Sequence, residues 1–264
     1  MYTAKMLKEQ ISGMGLSGTE TILIHSSMKA IGVVGGGADT VLDVLTAYFK
    51  DGLLLFPTHT WNTVNERNPV YDPAKEPSCV GLLSNLSLKR SGAVRSLHPT
   101  HSIAGIGENA ANYLAGEEYC NTPCTPGGCY DRLRDCDGKI LLIGVGHARN
   151  TFIHSVEEVL NVPNRLADMP MKLEIIMPDG GTKTVYMRRH YNPQQPHISE
   201  EFVKLHQAFL DCQAAREVTF GDAACLLCDA KRIYEVVRHV LAPNPQCLVT
   251  ESFINCERWI ELCR

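Results

Sequence analysis

The chain has 264 residues, 44% hydrophobic and 20% charged, with a formal net charge of −4 and a pI near 6.2. That length suits one large α/β domain or two small ones with a substantial core. The mildly acidic balance argues against a nucleic-acid partner, which leaves a basic signature. No run approaches the roughly 18 apolar residues of a bilayer span and no signal-peptide core opens the chain, so it reads as cytoplasmic, with no membrane partner.

In chain order, residues 3–15 have helical spacing, with Met6, Leu7, Ile11 and Met14 on one side. TILIH (21–25) reads as a buried strand that exits into the glycine-rich turn HSSMKAIGVVGGG. Residues 38–49 predict a helix, and LLLFP (53–57) a second strand that exits into THTWN. The proline-bearing stretch 62–78 is irregular, and 78–89 predicts a helix with Ser78 as its cap. Residues 93–107 hold a loop and a strand, and 108–114 begin a helix. A Pro- and Gly-rich loop covers 120–132, KILLIGV (139–145) is a third strong strand, and a helix runs over 151–160.

Beyond residue 168 the pattern changes. Residues 172–177 and 182–187 flank PDGG and read as a β-hairpin. Residues 190–198 form a loop, 200–213 and 223–240 read as helices, and the last segment as a strand followed by a helical tail. Alternating strands and helices early in the chain predict a largely parallel sheet, and the hairpin makes that sheet or a neighbouring one mixed.

Eleven cysteines suggest reduced thiols rather than a disulfide framework. Cys120, Cys124, Cys129 and Cys136 lack zinc-knuckle spacing, and Cys225 and Cys228 read as small hydrophobes on an apolar helix. His98 and His101 flank Pro99 in an extended segment, where three-residue spacing does not share a face. No metal is expected.

Chemistry gathers at the strand exits, where open α/β sheets bind ligands. His25-Ser26-Ser27, Thr58-His59-Thr60 and His147…Thr151…His154 reach one predicted edge. His154 and Glu157, three apart on a predicted helix, share a face. A carboxylate holding one imidazole nitrogen fixes the tautomer and makes the other nitrogen a base. The same spacing equally suits a histidine satisfied by a nearby acid on a solvated face. The SSMKAIGVVGGG turn, which includes Gly32 and Val33, and the HPTHSIAGIG segment offer amides and hydroxyls to an anion, or are plain turns.

HSSMKAIG (25–32), LLFPTHTW (54–61), RSLHPTHSIAGIG (95–107) and GKILLIGVGHARNTFIHSVEE (138–158) together resemble the aminoglycoside 3-N-acetyltransferases. The resemblance covers most of residues 20–160 and fades after 170. It implies an α/β fold with a central mostly parallel or mixed sheet flanked by helices and an antiparallel hairpin added in the C-terminal part. It also implies a single acetyltransferase domain over 1–264, with 1–167 as the acetyl-CoA-binding and catalytic core and 168–264 shaping the acceptor site.

The implied reaction moves an acetyl group from acetyl-CoA to the 3-amino group of an aminoglycoside. His154 matches the catalytic histidine, Glu157 its acid, Thr151 the threonine one turn before and His25 a further active-site histidine. Ser26, Ser27, Met28, Lys29, Gly32, Val33, Thr100, His101 and Ser102 fall in segments that match the cofactor site. Asn62, Glu66, Asp72, Glu158 and Asp222 are candidates for the cationic acceptor through charge-assisted bonds, each equally able to be an ordinary surface group. Other readings are transfer to a different small primary amine, a metal-binding or hydrolytic protein, and a CoA-binding protein without turnover. A homodimer is left open.

Overall fold

The computed structural model describes residues 1–263. Its strands are β1 (Thr21–Ser26), β2 (Leu53–Pro57), β3 (Val70–Tyr71), β4 (Val94–Arg95), β5 (Ile103–Ile106), β6 (Lys139–Ile143), β7 (Met171–Ile176), β8 (Thr182–Met187), β9 (Ala215–Phe220) and β10 (Ala223–Asp229). Seven form a central sheet in the order β4-β5-β2-β1-β6-β10-β9. β1 runs parallel to β2 and to β6, while all pairings in the two wings are antiparallel. The sheet is therefore mixed, with its parallel part confined to the centre.

The central strands are apolar on both faces because helices cover both. Leu23, Leu55, Ile140, Leu142 and Cys228 point into one core, shared with the helices Phe152–Val159 and Ala230–Leu241. Their alternates Ile22, Ile24, Leu54, Phe56, Leu141 and Ile143 point into the other, under the helices Ala4–Ser12 and Gly37–Tyr48. This is the period-two pattern of a strand, filled on both sides. The predicted hairpin is β7–β8, which joins β3 in a separate three-stranded sheet with its own small core around Tyr71, Leu173, Ile175 and Met187.

Several expectations need correction. The apolar run 223–229 is strand β10, paired with β6 and β9, and the helix starts only at Ala230. Cys225 and Cys228 thus lie on a strand, on opposite faces of the sheet. Asp229 caps the helix by accepting from the Arg232 amide, a start signal hidden inside an apolar stretch. The strand expected near the C-terminus is a helical turn, Cys247–Thr250, followed by short 3-10 turns. Ser78 caps no helix. Its amide donates to Asn85 Oδ1, and the helix begins at Leu82 after Gly81. Met6, expected on the buried face of the first helix, is exposed.

Cys212 and Cys263 form a disulfide with a Cα–Cα distance of 4.7 Å, while nine cysteines are free. The pair meets because the tail folds back on the helix His206–Asp211, where Trp259 Nε1 donates to Asp211 Oδ2. No helix among the described residues is long and apolar enough to cross a membrane.

Candidate active site

β1, β2 and β6 end at one edge of the sheet, and antiparallel β5 begins there, so four chain segments meet. At the β1 exit, the Ser27 amide donates to Ile143 O at 2.9 Å, tying this turn to the end of β6. Gly144 is required there: its φ is +63°, and a side chain would run into Ala30. His25 is buried, its Nε2 has no partner, and burial pushes it down to about 3, so the ring is neutral. Ser26, Ser27, Met28 and Gly32 are half-buried, and Lys29 and Val33 are exposed.

Between β2 and β5 the backbone continues pairing beyond the strands: the Thr58 amide donates to Ser102 O at 2.7 Å and the Thr60 amide to Thr100 O at 2.9 Å. His98 Nδ1 accepts from the amides of Thr100 and His101, and its Nε2 donates to Thr122 O at 3.0 Å. HPTH is thus a loop braced by its own first histidine. Ser102 Oγ donates to Thr58 O and accepts from Arg95 Nε, so this hydroxyl is already used within the protein. Thr100 Oγ1 bonds His101 Nδ1 at 3.0 Å. His59 Nε2 shares a 2.6 Å bond with the Tyr130 hydroxyl.

The β6 exit carries the helix Phe152–Val159. His154 Nδ1 donates to Glu157 Oε2 at 3.1 Å, as the spacing predicts. Arg165 Nε donates to Glu157 Oε1 at 2.5 Å, and both of these side chains are buried. Burial works against the Glu157 charge, but the bonds to His154 and Arg165 outweigh it and hold the carboxyl below its usual range. Burial, then the neighbouring His190, push His154 down to about 4 despite the opposing pull of Glu157. The result is a neutral imidazole whose Nδ1–H is committed, leaving Nε2 as an acceptor. Thr151 is buried immediately before this helix, and its hydroxyl has no protein partner among the described residues.

His190 stacks on His154 with ring centroids 3.9 Å apart and donates to Glu158 Oε1 at 2.7 Å. His101 lies 5.7 Å from His190 and 4.5 Å from His59. Six histidines therefore line one site: His25, His59, His98, His101, His154 and His190. For His59, His98 and His101 burial comes first among the causes that lower their basicity.

The structure brings His25, Thr151, His154, Glu157, Glu158 and His101 together at this edge. It leaves others outside the cluster. Asp222 accepts from the Tyr2 hydroxyl at 2.6 Å and packs against Gly32, on the side of the β1 turn. Asp72 pairs with Lys75 at 2.8 Å and accepts from the Ala74 amide within its own loop. Asn62 and Glu66 are exposed. Sequence reasoning missed Arg165, Tyr130 and His190 as parts of the site. A lone arginine in NVPNRL carries no periodic signal; its clue is that a buried Glu157 needs a counter-charge.

A family model described as Aminoglycoside 3-N-acetyltransferase matches residues 23–242. Aminoglycoside N(3)-acetyltransferase VII of Streptomyces paromomycinus is 28% identical over 181 residues, 62% of this chain and 62% of that protein. The chain thus spans a little under two thirds of the curated relative it matches. Among solved structures, a histidine-to-alanine mutant of aminoglycoside acetyltransferase AAC(3)-IVa in complex with a gentamicin superposes with a TM-score of 0.80 at 23% identity, over 94% of this chain and 91% of that one. AAC-IIIb bound to CoASH gives 0.77 at 20%, over 89% and 94%. At such identities these likenesses carry the fold.

Proposed function

The chain belongs to the aminoglycoside 3-N-acetyltransferase family, and from that premise we propose that it moves the acetyl group of acetyl-CoA onto the 3-amino group of an aminoglycoside. The observation that carries this reading is the buried sequence Arg165–Glu157–His154, which ends in an unprotonated Nε2. An ammonium cannot attack a thioester, so the base must first take its proton. His154 Nε2 accepts that proton, and Glu157 offsets the positive charge that develops on the ring. The amine nitrogen then bonds to the acetyl carbon, the carbon–sulfur bond breaks, the imidazolium returns its proton to the departing thiolate, and the acetylated nitrogen releases its second proton to water.

The β1 turn suits the thioester. Its amides at Met28 and Lys29, next to the Ser27 amide that already holds Ile143 O, or the free Thr151 hydroxyl, would donate to the oxygen as it gains charge. The unpartnered His25 Nε2 marks a buried polar place that a bound group would satisfy. Ser26, Met28, Gly32, Val33, Thr100 and His101 would line the rest of the cofactor site, while Ser102 would act through the loop it braces. Glu66, with Asn62, would meet a cationic acceptor from the 62–78 loop.

A second reading has one specific support. Asp72 is already paired with Lys75 and Asp222 is bonded to Tyr2, which leaves fewer carboxylates for a polycation. The same chemistry on another small primary amine fits that arrangement. Thiol release from acetyl-CoA, measured with a panel of aminoglycosides and simple amines, tests both. Aminoglycoside-dependent release with a 3-N-acetyl product is the expected outcome. Release only with other amines selects the second reading, and none with any amine refutes acetyl transfer.

A further inference from the structure

Beside the proposed base lies a trio of side chains to which the transfer step itself assigns no bond-making role. Cys124 from the Pro- and Gly-rich loop, Glu158 from the helix Phe152–Val159 and His190 from the segment after β8 each offer one ligand atom, and these atoms lie within 4.8 Å of one another. All three side chains are largely enclosed: Cys124 is 2% exposed, and the Glu158 and His190 side chains 2% and 12%. Glu158 Oε1 accepts from the Cys124 amide at 2.9 Å and from His190 at 2.7 Å. Its Oε2 is buried and makes no well-formed hydrogen bond among the described residues, the neighbouring Thr122 hydroxyl being bonded to Thr125 Oγ1. A buried carboxylate oxygen left unpaired costs about 1–3 kcal/mol or more, so its retention asks for an occupant.

We propose that Cys124, Glu158 and His190 form a binding site for a zinc-class divalent cation. The donor set decides the class. A thiolate with an imidazole disfavours calcium and magnesium, which take oxygen ligands, and one sulfur, one nitrogen and one oxygen match tetrahedral zinc with a fourth position open. Zinc–ligand bonds of about 2.0–2.3 Å set ligand atoms roughly 3.5 Å apart, so only a pair near the 4.8 Å limit has to draw in, by about 1 Å. Three electron pairs go to the metal, from sulfur, imidazole nitrogen and carboxylate oxygen, and the Cys124 thiol gives its proton to water. Thiolate and carboxylate together cancel the two positive charges, which permits burial. Because a proton competes for the sulfur, affinity rises with pH. The site stands whether or not the chain transfers acetyl groups.

The experiment is direct metal binding to the full chain without acetyl-CoA. Zinc titrated calorimetrically into chelator-treated protein should bind near one equivalent, and cobalt should give a thiolate-to-metal charge-transfer band in the near ultraviolet. Cys124→Ser should abolish the band, and Cys124→Ser and His190→Ala should each weaken zinc binding by roughly 100-fold or more. Cys136→Ser, at an exposed thiol, should leave binding unchanged. The unsubstituted protein keeps the test decisive if a variant fails to fold. Absence of zinc binding, a cobalt spectrum without the thiolate band, or full retention of binding in Cys124→Ser would each overturn the proposal.

Discussion

The pocket around His154 and the turn after β1 sit at neighbouring exits of one sheet, yet they are held by different means. Side-chain bonds fix the pocket: Arg165 holds Glu157, Glu157 holds His154, and Glu158 holds His190. Backbone fixes the turn. Its helical stretch Met28–Ile31 has no side-chain cap, and its glycines take positive φ at Gly32, Gly36 and Gly37. A region that handles a proton must set ring orientation and charge, which only buried partners can do. A region that cradles a ligand must keep its amides free and its chain close, which glycine permits.

Acid should strain this difference most, because it acts on many groups of the pocket at once. His25, His154 and the distant His147 are pushed down to about 3, 4 and 4, and His59, His98 and His101 are also lowered, with burial as the first cause. Each takes up a proton more readily unfolded, near 6.5, than folded. As pH falls from 6.5 towards 4, stability should drop by up to about 1.4 kcal/mol per pH unit for each such ring. Denaturation midpoints across that window check this, and a flat profile would mean the rings are hydrated.

Arg165→Met comes next. It leaves the Glu157 charge buried without its cation and should cost about 3–5 kcal/mol in urea denaturation. Wild-type stability would show that Glu157 is not held as described. His154→Ala should lower kcat roughly 100-fold while acetyl-CoA still binds by calorimetry; unchanged turnover would remove the base from the mechanism. Gly32→Ala should do the converse. The side chain would meet Asp222 at φ +84°, a strain of about 1–3 kcal/mol. KM for acetyl-CoA should rise with kcat little changed. The smallest effect belongs to Asp72→Asn, which should leave folding untouched and shift only the acceptor KM, by a few-fold at most.

Much of this was legible beforehand. β1, β2, β6 and the β7–β8 hairpin announce themselves as short apolar or alternating runs bounded by turn residues, and the 154–157 spacing gives their bond directly. AACLLCD did not yield to the same reasoning. A strand buried on both faces has no alternation, and when a good helix follows without an intervening turn the two merge into one apolar stretch. His190, Tyr130 and Arg165 were illegible for another reason. Tyr130 and His190 take their meaning from partners far along the chain, and Arg165 meets Glu157 only eight residues back but from outside the helix, so no local period records any of these pairings.

Arg165 does more than meet Glu157. Its guanidinium also reaches Gln246 Oε1 at 3.2 Å and Pro245 O at 3.3 Å, about eighty residues downstream. β10, which flanks β6, likewise comes from the last fifth of the chain. During synthesis, then, the ribosome has released every histidine of the pocket before the arginine that orients its acid finds all its acceptors. The amino-terminal three quarters would leave the tunnel with the rings present and their steering incomplete, so competence for proton transfer arrives only with the segments that follow.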